Sequence, residues 1–288
     1  MTLRMRARLA PYLLILPGGL WLAIFFVIPI IALLALSLDT GNLINGFRET
    51  FHVATYVNQL SQYHTQFIRS FVYGTIATAA MIAIGYPVAY WIAFHGGTRK
   101  SAYLFLLILP FFVTFVLRTV SWQFLLADQG IVLGTLKNWG LLPQGFRVLS
   151  TNFAVIAGLT YNFLPYMVLP IYVALERMDK GLLEAASDLY ANRREVFRRV
   201  VLPLSIPGVF AGILLTFVPA VSDYVNAEIL GGVNQVMIGN IIENQYLVNN
   251  NYPQAAALSF VLMAALLIGV FIYARALGTE DILSVSSG

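Results

Sequence analysis

The three lysines of this chain follow Arg99, Leu136 and Asp179, so none stands in the Gly-Lys-Ser/Thr context that lets a nucleotide-binding loop reach phosphates. No Gly-x-Ser-x-Gly elbow, no His-Glu-x-x-His pair and no acid pair on one apolar run occurs. Serine-nucleophile, zinc-hydrolase and glycosidase chemistry therefore have no home. There is no cysteine, and His52, His64 and His95 are scattered, which excludes disulfides, thiolate metal sites and a histidine ligand set. What stands out is charge in unusual places. Arg118 lies inside an apolar run, Asp128, Asp223 and Glu228 lie at the ends of such runs, and residues 176–202 carry six Lys/Arg and five Asp/Glu. Groups so placed suit recognition and docking rather than bond-making.

The elements that must position them are transmembrane helices. Of the 288 residues 59% are hydrophobic and 10% charged, with mean hydropathy +0.78, whereas a soluble domain carries roughly 25% charged residues. A bilayer core about 30 Å thick needs about 20 apolar residues per helix. Segments of that kind fall near 12–37, 71–94, 103–127, 153–175, 203–222 and 255–274. The expected fold is all-α: a polytopic membrane protein of six spans, with residues 1–288 forming one domain. The first span follows Arg4, Arg6 and Arg8, but its uncharged run is too long for a signal-peptide core, so it reads as a retained anchor.

Basic residues orient the bundle. The outer loops 39–69, 128–151 and 223–253 hold Arg48, Arg69, Lys137 and Arg147, whereas the other loops and the termini hold twelve basic residues. The positive-inside rule puts both termini and the 176–203 loop in the cytoplasm. The net charge of +4 then reflects topology and calls for no nucleic-acid partner.

The cytoplasmic loop is also the most specific motif. Leu182, Leu183, Ala186 and Leu189 recur at helical spacing, while Glu184 and Asp188 point elsewhere. Glu184-Ala185-Ala186, then Tyr190 after three residues, then Val200-Val201-Leu202-Pro203 after nine resembles the EAA signature of ABC importer permeases. The resemblance implies a type I permease bundle whose coupling helix, built from Leu182, Leu183, Glu184, Ala185, Ala186, Asp188, Leu189 and Tyr190, sits in a groove of an ATPase subunit. Pro203 is expected to start the fifth span, where a missing N–H costs least. The family's glycine is Tyr190 here, so Asn192 is expected to supply a left-handed residue to the turn.

Further matches point to one branch. Gly85-Tyr86-Pro87, Leu109-Pro110 with Arg118-Thr119 and Trp122, and Gly231-Gly232 with Met237-Ile238-Gly239-Asn240 are similar to the PotB-type spermidine/putrescine permeases. That implies a polyamine importer in the bacterial inner membrane. Its partners would be a second, homologous permease, two ATP-binding cassette subunits, an extracytoplasmic binding protein and the bilayer. This chain would bind no cofactor and no metal, with ATP and Mg on the ATPases. Iron, thiamine or opine-like cargo fits the same pattern. An ion-coupled carrier leaves the EAA spacing without a reason, and a scaffold tolerates the loop but gives no reason for Arg118 and the acid-only outer loop.

Candidate pathway residues follow from cost and charge. An arginine at a helix centre costs roughly 2.5–3.5 kcal/mol on insertion scales. Arg118 therefore faces the bundle or the pore, or it bridges to Asp128 near the outer end. Asp128, Trp122, Tyr161, Asn162 and Tyr166 are expected to cluster in the outer halves of the third and fourth spans and offer ring faces to ammonium groups. Asp223, Tyr224, Glu228 and Glu243 lie at or beyond the fifth span in a loop without a basic residue. Gly208 and Gly212 are spaced for close helix packing, and the outer loop 39–69 is expected to contain a short helix.

Overall fold

The computed structural model describes residues 14–42, 46–179, 181–183, 186 and 192–276. Among these, five helices are long and apolar enough to cross a membrane, or six when one sharply bent pair counts as a single span. By contact the chain divides into two units, Met1–Tyr63 with Ile242–Gly269, and His64–Ile241 with Val270–Gly288.

In the first unit, α1 (Leu14–Ser37) is apolar all round and has none of its central window buried, as a helix facing lipid or another subunit must be. Its end is tied down where the Ser37 hydroxyl donates to the Leu34 carbonyl (2.6 Å) and meets the Tyr56 hydroxyl. A short antiparallel hairpin follows, β1 (Asp39–Asn42) with β2 (Gly46–Glu49), in register Asp39↔Glu49. The loop 39–69 thus holds a hairpin, and the helix beyond it, α2 (Ala54–His95), begins well before the expected span at residue 71. Residues 54–70 are too polar to score as membrane but carry no helix breaker. Helical geometry lapses in α2 at Tyr63 (φ −110°, ψ 17°).

The second unit carries the site. The expected third span, 103–127, is not one straight helix. α3 (Lys100–Ile108) tightens into a 3-10 turn over Leu109–Phe112, and after extended Val113 and Thr114 the chain resumes as α4 (Phe115–Leu126). The two arms meet at 89°. Pro110 cannot donate a helical N–H, and it sits where the α-helix gives way. α5 (Ile131–Asn138) follows.

At the centre is α6 (Asn152–Glu176), capped by the Thr151 hydroxyl, which accepts from the Ala154 N–H (3.2 Å). Val155, Leu159, Met167, Val168, Ile171 and Leu175 of α6 are buried against Tyr73, Ala77, Met81, Ala89 and Ala93 of α2. α6 also packs on α7 (Arg193–Ser222). A Cβ added at Gly208 would lie 2.6 Å from the Pro170 carbonyl oxygen, and one at Gly212 would lie 2.6 Å from the Met167 sulfur, so both glycines serve close packing, as expected. Past α7 come α8 (Val225–Leu230), α9 (Ile238–Glu243) and α10 (Tyr252–Ala276).

Candidate functional site

Four polar residues from three elements form one buried chain. Asn162 of α6 is fully buried, and its Nδ2 donates to the Thr119 hydroxyl of α4 (3.0 Å) and to Oδ1 of Asn226 on α8 (2.9 Å). The Asn226 backbone N–H and Nδ2 both donate to Oδ1 of Asp223, at 2.8 and 3.2 Å. Gly158, one turn before Asn162 on α6, makes this possible, because a Cβ there would lie 2.7 Å from the Asn226 side-chain oxygen. Oδ1 of Asn162 is buried with no hydrogen-bond partner, a position that costs roughly 1–3 kcal/mol.

Asp223 follows directly on the last residue of α7 and is only 8% exposed. Burial pushes its carboxyl up from the ordinary 3.8 to about 6, opposed by the two Asn226 hydrogen bonds. It carries no cationic partner among the described residues. Sequence placed Asp223 at an outer pathway but missed Asn226 and Thr119. An Asp three residues before an amide at a helix start is the one available signal for the first.

Arg118 is next to Thr119 and is answered differently. It is 8% exposed, and its Nε and Nη1 have no hydrogen-bond partner. The guanidinium lies over the Phe111 ring, 4.1 Å from the centroid, with Phe115 at 5.8 Å. The expected alternative, a bridge to Asp128, does not form. Asp128 pairs instead with Lys137 (3.3 Å) and Arg147 (3.0 Å), because α5 brings its own lysine back over the end of α4.

The expected cluster is thus divided. Trp122 and Tyr161 do meet, edge to face at 5.3 Å, and Tyr166 packs on Phe111 at 5.4 Å, but Asp128 belongs to the ion pairs with Lys137 and Arg147. Tyr224 and Glu228 are joined through Asn240, whose Nδ2 donates to the Tyr224 carbonyl (2.9 Å) and to Glu228 Oε2 (3.2 Å). Their side chains are exposed. Among the described residues no group of His, Cys, Asp or Glu could hold a metal ion.

At the other end of α6, Leu183 packs against the core and lines a cavity of ≈510 Å³ with Tyr90, Phe94, His95, Arg193 and Phe197. Leu182, half exposed, lines a groove of ≈760 Å³ along α6 and α7. Ala186 is helical, and Glu184, Ala185, Asp188, Leu189 and Tyr190 lie outside the described residues. One expectation is corrected here. Asn192 is extended (φ −73°, ψ 161°), not left-handed, because it caps α7: its side chain accepts from the Arg194 and Glu195 N–H groups while Glu195 accepts from its own N–H. Pro203 stands in the first turn of the α-helical stretch Leu202–Ser222, as expected, and α7 reaches it from Arg193 through a π-helical stretch, Phe197–Val201.

This bent, multi-span bundle has known counterparts. Residues 10–277 match the binding-protein-dependent transport system inner membrane component family, and the chain belongs to it: it is a multi-pass inner-membrane component of an importer. The spermidine/putrescine transport system permease protein PotB of Haemophilus influenzae is 36% identical over 257 residues, 89% of this chain and 90% of that protein. PotB of Escherichia coli is 33% identical over 257 residues, 89% of this chain and 94% of that protein. The Escherichia coli inner membrane ABC transporter permease protein YdcU is 32% identical over 232 residues, 75% of this chain and 72% of that one. In fold, the chain is similar to a subunit of a bacterial ABC transporter for the acidic polysaccharide alginate. The TM-score is 0.71 at 18% identity, covering 95% of this chain and 97% of that one. The same transporter in complex with its alginate pentasaccharide-bound periplasmic protein also gives a TM-score of 0.71.

Proposed function

We propose that this chain is one half of the translocation pathway of an ATP-driven polyamine importer. A binding protein delivers spermidine or putrescine at the outer face. Two ATPase subunits grip the 176–203 loop and that of a second, homologous permease. This chain binds no cofactor, ATP and Mg reside on the ATPases, and both termini are cytoplasmic. The observation that carries the cargo is the 33–36% identity, across 89% of the chain, to permeases named for spermidine and putrescine. The buried Asp223 carboxylate and the absence of Lys or Arg from residues 223–253 support it, because that segment brings no cation of its own against an approaching ammonium.

The reconstituted complex tests this reading through stimulation of its ATPase by binding protein loaded with putrescine, spermidine, iron or thiamine. Stimulation by the amines alone is expected; stimulation by iron or thiamine alone sinks the cargo assignment. Glu184→Lys should abolish ATPase docking while leaving membrane insertion intact, and normal uptake by that variant would remove the docking role. A second reading, an anionic cargo of the same importer class, has one observation in its favour: the buried guanidinium of Arg118, whose Nε and Nη1 have no acceptor.

A further inference from the structure

Arg118 poses a problem for a polycation pathway, since a fixed buried cation repels the cargo. It resolves once its surroundings are considered together. No acid pairs with the guanidinium among the described residues, and two of its three nitrogens have no acceptor. A buried guanidinium that served only to hold the fold would be expected to have its donors satisfied, because leaving them bare is costly. What it has is ring face. Phe111 lies 4.1 Å beneath it, Phe115 lies at 5.8 Å, and the aromatic series continues from Phe115 to Phe163 (5.8 Å), to Tyr166 (6.4 Å) and back to Phe111 (5.4 Å). Linked rings, two of them against the cation, are the chemistry that recognises an ammonium ion.

We propose that the Phe111 ring face is a binding site for an ammonium group of the cargo, held in this conformation by the tethered guanidinium of Arg118. The proposal rests on the polyamine reading for its natural ligand. Two cations cannot share one ring face, so a cargo ammonium enters only as Arg118 leaves. The exchange also reaches the backbone. Phe111 sits in the 3-10 turn before the 89° bend and Arg118 on α4 after it, so the contact that cargo displaces spans the bend of the third span. Arg118 is then a competitor that weakens retention of the amine and tells the bend whether the site is filled.

The test uses the purified four-subunit complex without binding protein, titrated calorimetrically with tetramethylammonium and, separately, with spermidine. Arg118→Gln should bind tetramethylammonium about ten-fold more tightly than wild type, the scale of one desolvated cation–ring contact. Adding Phe111→Leu should erase that gain, and Arg118→Lys, which keeps the charge, should show none. Equal or weaker binding by Arg118→Gln, or a gain that survives Phe111→Leu, overturns the proposal. So does binding of acetate or succinate by wild type that Arg118→Gln abolishes, which would make Arg118 an anion clamp. Should Arg118→Gln fail to assemble, Phe111→Leu alone should weaken tetramethylammonium binding about five-fold, and unchanged binding overturns the site. If tetramethylammonium behaves as expected while spermidine neither binds nor drives ATPase activity, the ring-face site stands and the polyamine reading falls.

Discussion

The two ends of α6 are both approached closely by another helix, and the two contacts are built from opposite chemistry. Toward its C-terminal end, Gly208 and Gly212 of α7 press onto Met167, Pro170 and Ile171 in an apolar seam. Toward its N-terminal end, Gly158 admits α8, and the seam is polar: Thr119, Asn162, Asn226 and Asp223 in one chain. A dry seam fails through lost space, a polar one through lost partners. The polar seam also has a loose end that the apolar one lacks, Asn162 Oδ1, and a buried carboxylate, Asp223, with no cationic partner among the described residues, and beside it sit the bare nitrogens of Arg118. Binding groups belong where satisfaction is incomplete.

The largest effect is expected in the dry seam. Gly208→Val would drive a side chain against Ala174 and the Pro170 carbonyl, where backbone cannot yield, and should lower stability by at least ~2 kcal/mol or prevent accumulation. Gly269→Val, with nothing within 4 Å of the added carbon, should leave the melting temperature unchanged; equal damage at both positions would deny the seam its role. Next comes Asn162→Leu, which strands the Asn226 side-chain oxygen and takes a donor from Thr119. A loss of about 1–2 kcal/mol in thermal unfolding is expected, together with reduced uptake.

Asp223 separates the seams by pH. Its folded pKa of about 6 lies above the ordinary 3.8, so ionising it destabilises the folded chain. That loss grows as the pH rises from about 4 to 6 and is complete above it. The purified protein should therefore melt higher at pH 5 than at pH 7, by on the order of 1–2 kcal/mol in stability, and Asp223→Asn should flatten the profile. A profile equally steep in the variant would assign the dependence to another group. The smallest effect belongs to a pair outside both seams. Lys100 and Glu176 meet at 2.7 Å with side chains 22% and 40% exposed, and Lys100→Gln should cost less than about 0.5 kcal/mol.

Much of this was legible in the chain, and the failures share a cause. Six apolar runs were found because burial in lipid is written residue by residue in composition. The bend after Pro110 was missed because the run 103–127 stays apolar through it, and hydropathy does not register direction. α2 begins at Ala54 because helix formation needs satisfied N–H groups rather than apolar side chains, which a polar segment hides from a search for spans. Asp128 was offered to Arg118 on proximity along the chain, and α5 folded Lys137 closer. At Asn192 the capping box with Glu195 was present in the spelling Asn-Arg-Arg-Glu, and the turn expectation obscured it.

Sequence by itself determined the membrane class and the spans, and it marked residues 176–203 as a candidate docking loop, since transfer free energies and a motif's spacing are local properties summed along a chain. It also singled out Arg118 as an expensive residue. Only the tertiary structure decided what surrounds that residue, which acid pairs with which base, and that Asn162, Asn226 and Asp223 form one chain. Those depend on helices brought together by their glycine faces and on one 89° turn, and distances between elements are written in no single segment.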